Sequence, residues 1–95
     1  MTVYDPEIAP NSIATIYANE KHLVLLVPSC PVSGASITIQ TLWNGVLYPK
    51  SVVFELNQGT NGPFVIDREK LGFSPALALT ADGIAQPLQV ILIGE

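Results

Sequence analysis

Charge is what this sequence has least of. Only 13% of its 95 residues are charged, against about 25% in ordinary soluble domains. So few charges cannot cover a monomer's surface generously. Either part of the surface is buried against copies of the chain or a larger partner, or a compact monomer is coated with Ser, Thr, Asn and Gln; we favour the first. The cations are Lys21, Lys50, Arg68 and Lys70, scattered along the chain, and the net charge is −4. Neutralising a phosphate backbone takes several clustered cations, which argues against nucleic acid as a partner. The same balance is wrong for an anionic membrane surface. The longest apolar runs, residues 23–27 and 90–93, fall far short of the roughly 20 residues that span a bilayer. Residues 2–10, TVYDPEIAP, have neither the basic nor the apolar region of a secretory signal, so the expected location is the cytoplasm or a particle assembled there.

Chemistry-bearing residues are equally sparse, with one histidine and one cysteine. A triad or a metal site needs partners for its histidine, and His22, at the start of an apolar strand, reads as a surface or core-rim side chain. Cys30, between two prolines, has no second cysteine to pair with and no evident cation to activate it, so it reads as a small hydrophobe in a loop. Asp67 and Glu69 alternate with Arg68 and Lys70, the pattern of a solvated capped turn. The glycines of residues 57–63, NQGTNGP, lack the lysine and following helix of a phosphate loop. No catalytic set, metal site or cofactor site is expected, and the chain is not expected to be an enzyme.

What the sequence does have is apolar alternation, at 48% hydrophobic residues and a mean hydropathy of +0.41. Residues 36–56 carry the cleanest case, SITIQTLW, then Asn44 and Gly45, then VLYPKSVVFEL. Asn-Gly is the preferred corner of a two-residue type I′ turn. A simple register sets Trp43 opposite Val46, Thr41 opposite Tyr48, Ile39 opposite Lys50 and Ile37 opposite Val52. One face then collects Ile37, Ile39, Trp43, Val46, Tyr48, Val52, Phe54 and Leu56, while Ser36, Thr38, Gln40, Ser51 and Glu55 line the other. Pro49 belongs on an edge or at a local break.

The rest divides into residues 1–11, read as an extended N-terminal arm because of Pro6 and Pro10, and residues 12–95, a single β domain. Strands are expected over residues 12–18, 22–27, 64–66, 76–81 and 88–93. Pro28 ends the second of these, and residues 57–63 form the longest loop. Asp67 caps a single helical turn closed by Gly72. Residues 23–27 and 88–93 are apolar on both faces and need cover from the core or from a neighbour. Short strands at this spacing, with no helical period, predict an all-β fold, an antiparallel β-sandwich or small barrel of six to seven strands.

Short length, few charges, a terminal arm and no catalytic set together resemble the small β-sandwich decoration (cement) proteins of tailed-phage capsids. That resemblance implies a non-enzymatic virion protein, assembled in the host cytoplasm, that forms dimers or trimers and binds a larger lattice such as a major capsid protein. Contacts are then expected from Tyr4 and Ile8 of the arm, from Trp43, Asn44, Gly45 and Tyr48 at the hairpin end, and from Asn57, Gln58 and Asn61 of the long loop. Trp43 either caps the core or presents an aromatic surface to a partner. Two other roles fit the same residues: a phage tail or baseplate component, and a small module that binds carbohydrate or peptide through Trp43, Tyr48 and the long loop.

Overall fold

Asn44 and Gly45 have φ of 51° and 78°, the two positive values a type I′ corner needs. They join β5 (Ala35–Trp43) to β6 (Val46–Leu56). In the computed structural model, which describes residues 1–72 and 74–94, the other strands wrap around this hairpin. Upstream are β1 (Thr2–Tyr4), β2 (Glu7–Ile8), β3 (Ala14–Tyr17) and β4 (His22–Cys30). Downstream are β7 (Gly59–Asp67), a 3₁₀ turn (Arg68–Leu71), β8 (Ala76–Asp82), β9 (Leu88–Gln89) and β10 (Ile91–Gly94). Phe73 and Glu95, within the expected 12–95 domain, lie outside the described residues.

The pairing is nested. Trp43 faces Val46, Ala35 faces Leu56, Val27 faces Asn61, Ala14 faces Leu79, Ile8 faces Leu88 and Thr2 faces Gly94, all antiparallel. The chain is therefore one long hairpin with the Asn44-Gly45 corner at its tip. Rolling it sets β4 beside β10 and β5 beside β8. Two four-stranded sheets result, β1-β10-β4-β7 and β3-β8-β5-β6, with β2 and β9 as a two-stranded pair at the side. This strand order is that of a jelly roll. The all-β antiparallel sandwich expected from the sequence is thus the fold, with eight strands in its two sheets rather than six or seven.

The two additional strand lengths come from segments expected to be irregular. Residues 1–11 are not an extended arm: β1 pairs with β10, β2 pairs with β9, and Ile8 is fully buried. Pro6 causes a bend rather than a release, because its carbonyl accepts hydrogen bonds from the Val90 backbone N–H and from Gln89 Nε2. Nor is 57–63 a loop, since β7 begins at Gly59 and only residues 57 and 58 lie between strands. Pro28 does not end β4, which runs on to Cys30. The β4–β7 register slips between Leu25 and Val27 and again between Val27 and Cys30. The second slip turns Pro28 and Ser29 to solvent and brings Cys30 back into the core, where its Sγ lies 3.1 Å from the Val32 carbonyl oxygen.

The hairpin departs from the simple register in the same way. Leu42 pairs with Leu47 but Gln40 pairs with Ser51, so Ile39 meets Val52 and Ile37 meets Phe54 instead of Lys50 and Val52. The irregularity sits at Pro49, which has no N–H for the ladder. Two extra residues keep the side-chain parity that one extra residue would invert. The inward set therefore survives, with Ile37, Ile39 and Leu56 buried and Val52 and Phe54 packed on the core. Trp43 and Val46 lie beyond the core's end and are 50% and 63% exposed.

Both sheets face inward with Leu23, Leu25, Val27, Ile66 and Leu92 on one side and Ile16, Ile37, Ile39, Leu77 and Leu79 on the other. The Phe54 and Phe64 rings, 4.6 Å apart and stacked, close the side between β6 and β7. Ile8 and Leu88 of the β2–β9 pair join the core near the opposite side.

Candidate interaction surface

Strand alternation sends Leu23, Leu25 and Val27 inward, and it sends Val24 and Leu26 outward. It does the same on β10, with Leu92 inward and Ile91 and Ile93 outward. The register then lines these outward residues up: Val3 faces Ile93, Ile93 faces Val24 and Val24 faces Val65. One apolar row crosses all four strands of the β1-β10-β4-β7 sheet. Ile91 and Leu26 form a second row beside it. Val3 and Val65 are 57% and 67% exposed, while Ile93 and Val24 between them and Ile91 and Leu26 beside them are half-buried. Both strands that read as two-sided apolar in the sequence are therefore neighbours, and their outer sides are uncovered.

The outer face of the other sheet is different in kind. Its rows are Ser36 with Asp82 and Glu55, Thr38 with Thr80 and Val53, and Gln40 with Ala78 and Ser51. An antiparallel sheet commonly shows one such polar face to water, and here that face belongs to β3-β8-β5-β6. Only its end row, Tyr17, Ala76, Leu42 and Leu47, is apolar.

The sheet edges are poor templates for another strand. β1 and β3 are three and four residues long. β6 carries Pro49 and a register shift, and β7 carries Pro63 and two register shifts. Short edges, prolines and bulges are the usual protections against edge-to-edge pairing. A partner is thus offered faces rather than strand edges.

The sequence-expected contact residues do not form one site. Ile8 is in the core. Tyr4 is half-buried, and its hydroxyl donates to Glu20 Oε1 at 2.8 Å. Trp43, Asn44 and Gly45 are exposed at the hairpin tip, with Tyr48 half-buried beside Gly72. Asn57, Gln58 and Asn61 lie past the far end of β6, whose 11 residues extend roughly 30 Å at the usual strand rise. Asn61 is itself a structural clamp: its Oδ1 accepts from the Asn57 N–H at 2.9 Å, and its Nδ2 donates to the carbonyls of Asn57 and Gly59. Sequence reading missed Val3 and Val65, because nothing local to either residue shows that they lie in register with Val24 and Ile93.

The tip end is built on Arg68. Expected in a solvated turn, its side chain is fully buried. Asp67 does cap the turn, accepting from the Glu69 N–H at 3.1 Å, and Gly72 has φ 81°. That cap aims residue 68 inward, where its guanidinium donates to the carbonyls of Ala18, Glu20 and Ser74. Residues 18–21 carry the chain from β3 to β4, and residues 68–75 carry it from β7 to β8. Arg68 therefore staples together two connections that cross between the sheets. Thr41 Oγ1 donates to the Gly72 carbonyl and Ser74 Oγ to the Leu42 carbonyl, which ties the second crossing to β5. Burial lowers the Arg68 pKa from its usual value, with Glu20 and Tyr4 opposing. The hydrogen bond to Glu20, followed by burial, raises the Tyr4 phenol above its usual 10.

A groove of about 290 Å³ runs between β6 and β7, lined by Ser51, Val52, Val65, Ile66, Asp67, Lys70 and Leu71. Another of about 270 Å³ lies between residues 11–13 and 80–82. Both are just below the roughly 300–1,000 Å³ of small-molecule sites. Among the described residues, no group of three or more His, Cys, Asp or Glu side chains is placed to hold a metal ion. No helix among them is long and apolar enough to cross a membrane. No family model matches the chain, and no curated protein matches it in sequence.

Proposed function

We propose that this chain is a non-enzymatic assembly protein that works by docking the apolar face of its β1-β10-β4-β7 sheet against other protein. The observation that carries this reading is the unbroken row Val3, Ile93, Val24 and Val65, with Ile91 and Leu26 beside it. A contiguous exposed apolar surface on a small domain marks an interaction site more often than scattered single residues do. Guarded edges and a polar second face support a module that lies on a larger body with one side and meets solvent with the other. The setting we propose is a virion, with the chain as a decoration protein that stabilises a capsid lattice. The jelly roll is compatible with that role but hosts many others, so the particle itself is the test. Mass spectrometry of particles purified from the source of the gene should find the chain in multiple copies per particle, on heads. Its absence refutes the virion assignment, and its recovery with tails or baseplates moves the role there.

A ligand-binding role is the second reading, and half-exposed Trp43 at the hairpin tip is the observation that favours it. Aromatic platforms bind sugars when amide and acid groups flank them, and Asn44 is the adjacent amide. A glycan array with hits that disappear in Trp43→Ala supports this reading; an array without hits removes it.

A further inference from the structure

We infer that Asn44 is a site of spontaneous covalent modification, in which its side-chain amide is lost as ammonia and a carboxylate is left at the hairpin tip. The co-reactant is water. The Gly45 backbone nitrogen gives up its proton to hydroxide and attacks Asn44 Cγ. The N–Cγ bond forms, the Cγ–Nδ2 bond breaks, and Nδ2 leaves as ammonia after taking a proton from water. One water molecule then opens the resulting five-membered imide at either of its carbonyls. Opening at Cγ gives aspartate; opening at the main-chain carbonyl of residue 44 gives isoaspartate, whose backbone runs through the former side chain. Nothing is oxidised or reduced, and no enzyme is required.

Two Asn-Gly dipeptides occur in the chain, Asn44-Gly45 and Asn61-Gly62. They are chemically alike, because glycine sets no side chain in the path of the attack. The fold separates them. Asn44 and Gly45 are exposed, a Cβ at Gly45 would meet nothing within 4 Å, and the Asn44 side chain makes no hydrogen bond among the described residues. Water therefore reaches both reacting groups. Asn61 is only 7% exposed, and three hydrogen bonds hold its amide. The backbone of Gly62 is pressed against β4, where an added Cβ would lie 2.7 Å from the Leu25 carbonyl oxygen.

Ring closure needs more than access, because the Asn44-Gly45 peptide must rotate out of the type I′ corner before its nitrogen reaches Cγ. The rate then follows the cost of opening that segment locally. At the tip the cost is small, since Trp43 and Val46 flank the corner beyond the core's end and are already half-exposed or more. The same rotation at Asn61 breaks its clamp and lifts Gly62 off Leu25 and Leu26. The product alters one end of the molecule. It adds one negative charge to the existing −4 and stands beside Trp43, while the row Val3, Ile93, Val24 and Val65 lies on the other sheet. Isoaspartate also lengthens the backbone by a methylene, which a two-residue corner does not accommodate.

Incubation of the intact chain in mildly alkaline buffer, followed by tryptic mass mapping, tests the proposal. Cleavage after Lys21, Lys50 and Arg68 puts Asn44 on peptide 22–50 and Asn61 on peptide 51–68. Each conversion replaces an amide by a carboxyl group and adds close to one mass unit, which fragment spectra assign to its residue. In the folded chain residue 44 should convert about tenfold or more faster than residue 61, because Asn61 must first break the hydrogen bonds that hold it. Both aspartate and isoaspartate should appear at position 44. In urea that unfolds the chain, the two positions should convert at similar rates. A position 44 that stays intact in the folded chain while the unfolded chain converts overturns the proposal. So does a smaller ratio in the folded chain, or a ratio that persists unchanged in urea.

Discussion

Replacing Arg68 by Met keeps most of the side-chain volume and removes every donor. Three carbonyls, those of Ala18, Glu20 and Ser74, then lose the guanidinium that now pairs them. A buried polar group left without its partner costs about 1–3 kcal/mol, and breaking a buried charged network costs about 3–5 kcal/mol in comparable cases. We expect about 3–5 kcal/mol for Arg68→Met. A domain of this size has a total of roughly 5–15 kcal/mol, so most of the margin is at stake. Urea unfolding followed by Trp43 fluorescence reads this directly. At a slope of about 1–2 kcal/mol per molar, the midpoint should fall by roughly 2–4 M. Arg68→Lys should recover only part of the loss, because an ammonium lacks the planar fork that reaches several carbonyls together. Amides at 18–21, 74 and 76 should lose hydrogen-exchange protection before those of β4 or β5, since the two crossings open first. A loss below about 1 kcal/mol for Arg68→Met would refute the staple, because surface substitutions cost about that little.

The other expectations concern the same ends of the sandwich. Tyr4 holds its proton more tightly in the folded chain than in the unfolded one, so its contribution is complete below pH 10 and is lost as pH rises through the folded value. Urea midpoints measured from pH 8 upward should show a wild-type decline beyond pH 10 that Tyr4→Phe lacks, and identical profiles would contradict this. Asn61→Ala removes one acceptor and two donated hydrogen bonds at the start of β7, for an expected loss of about 1–3 kcal/mol in chemical denaturation. Gly62→Ala forces a Cβ to within 2.7 Å of the Leu25 carbonyl oxygen at a φ of +105°. It should cost about 2 kcal/mol or more, and a calorimetric melting temperature equal to wild type would show that the bulge relaxes freely.

Much of this fold is legible from short stretches. Asn44 and Gly45 specify the corner, the alternation of residues 36–43 specifies which side of β5 is buried, and Asp67 and Gly72 bracket the 3₁₀ turn. Each depends on backbone preference or side-chain parity within a few residues, which sequence carries directly. The two-sided apolarity of residues 23–27 and 90–93 is legible for the same reason, and so is the need for cover. Tertiary structure alone decides what covers them. Pairing Thr2 with Gly94 turns an apparent arm into an edge strand, and it brings Val3 to the end of a row whose other members come from β10, β4 and β7. Prolines were misleading because Pro6, Pro28 and Pro63 are accommodated at bends and bulges, where a missing N–H breaks no ladder bond. Arg68 is the sharpest case: among Asp67, Glu69 and Lys70 it looks solvated, and it is buried because the carbonyls that hold it belong to residues 18, 20 and 74. Local sequence determines the strands and their inner faces; long-range register determines the clamp and the exposed apolar face, because neither exists until distant strands meet.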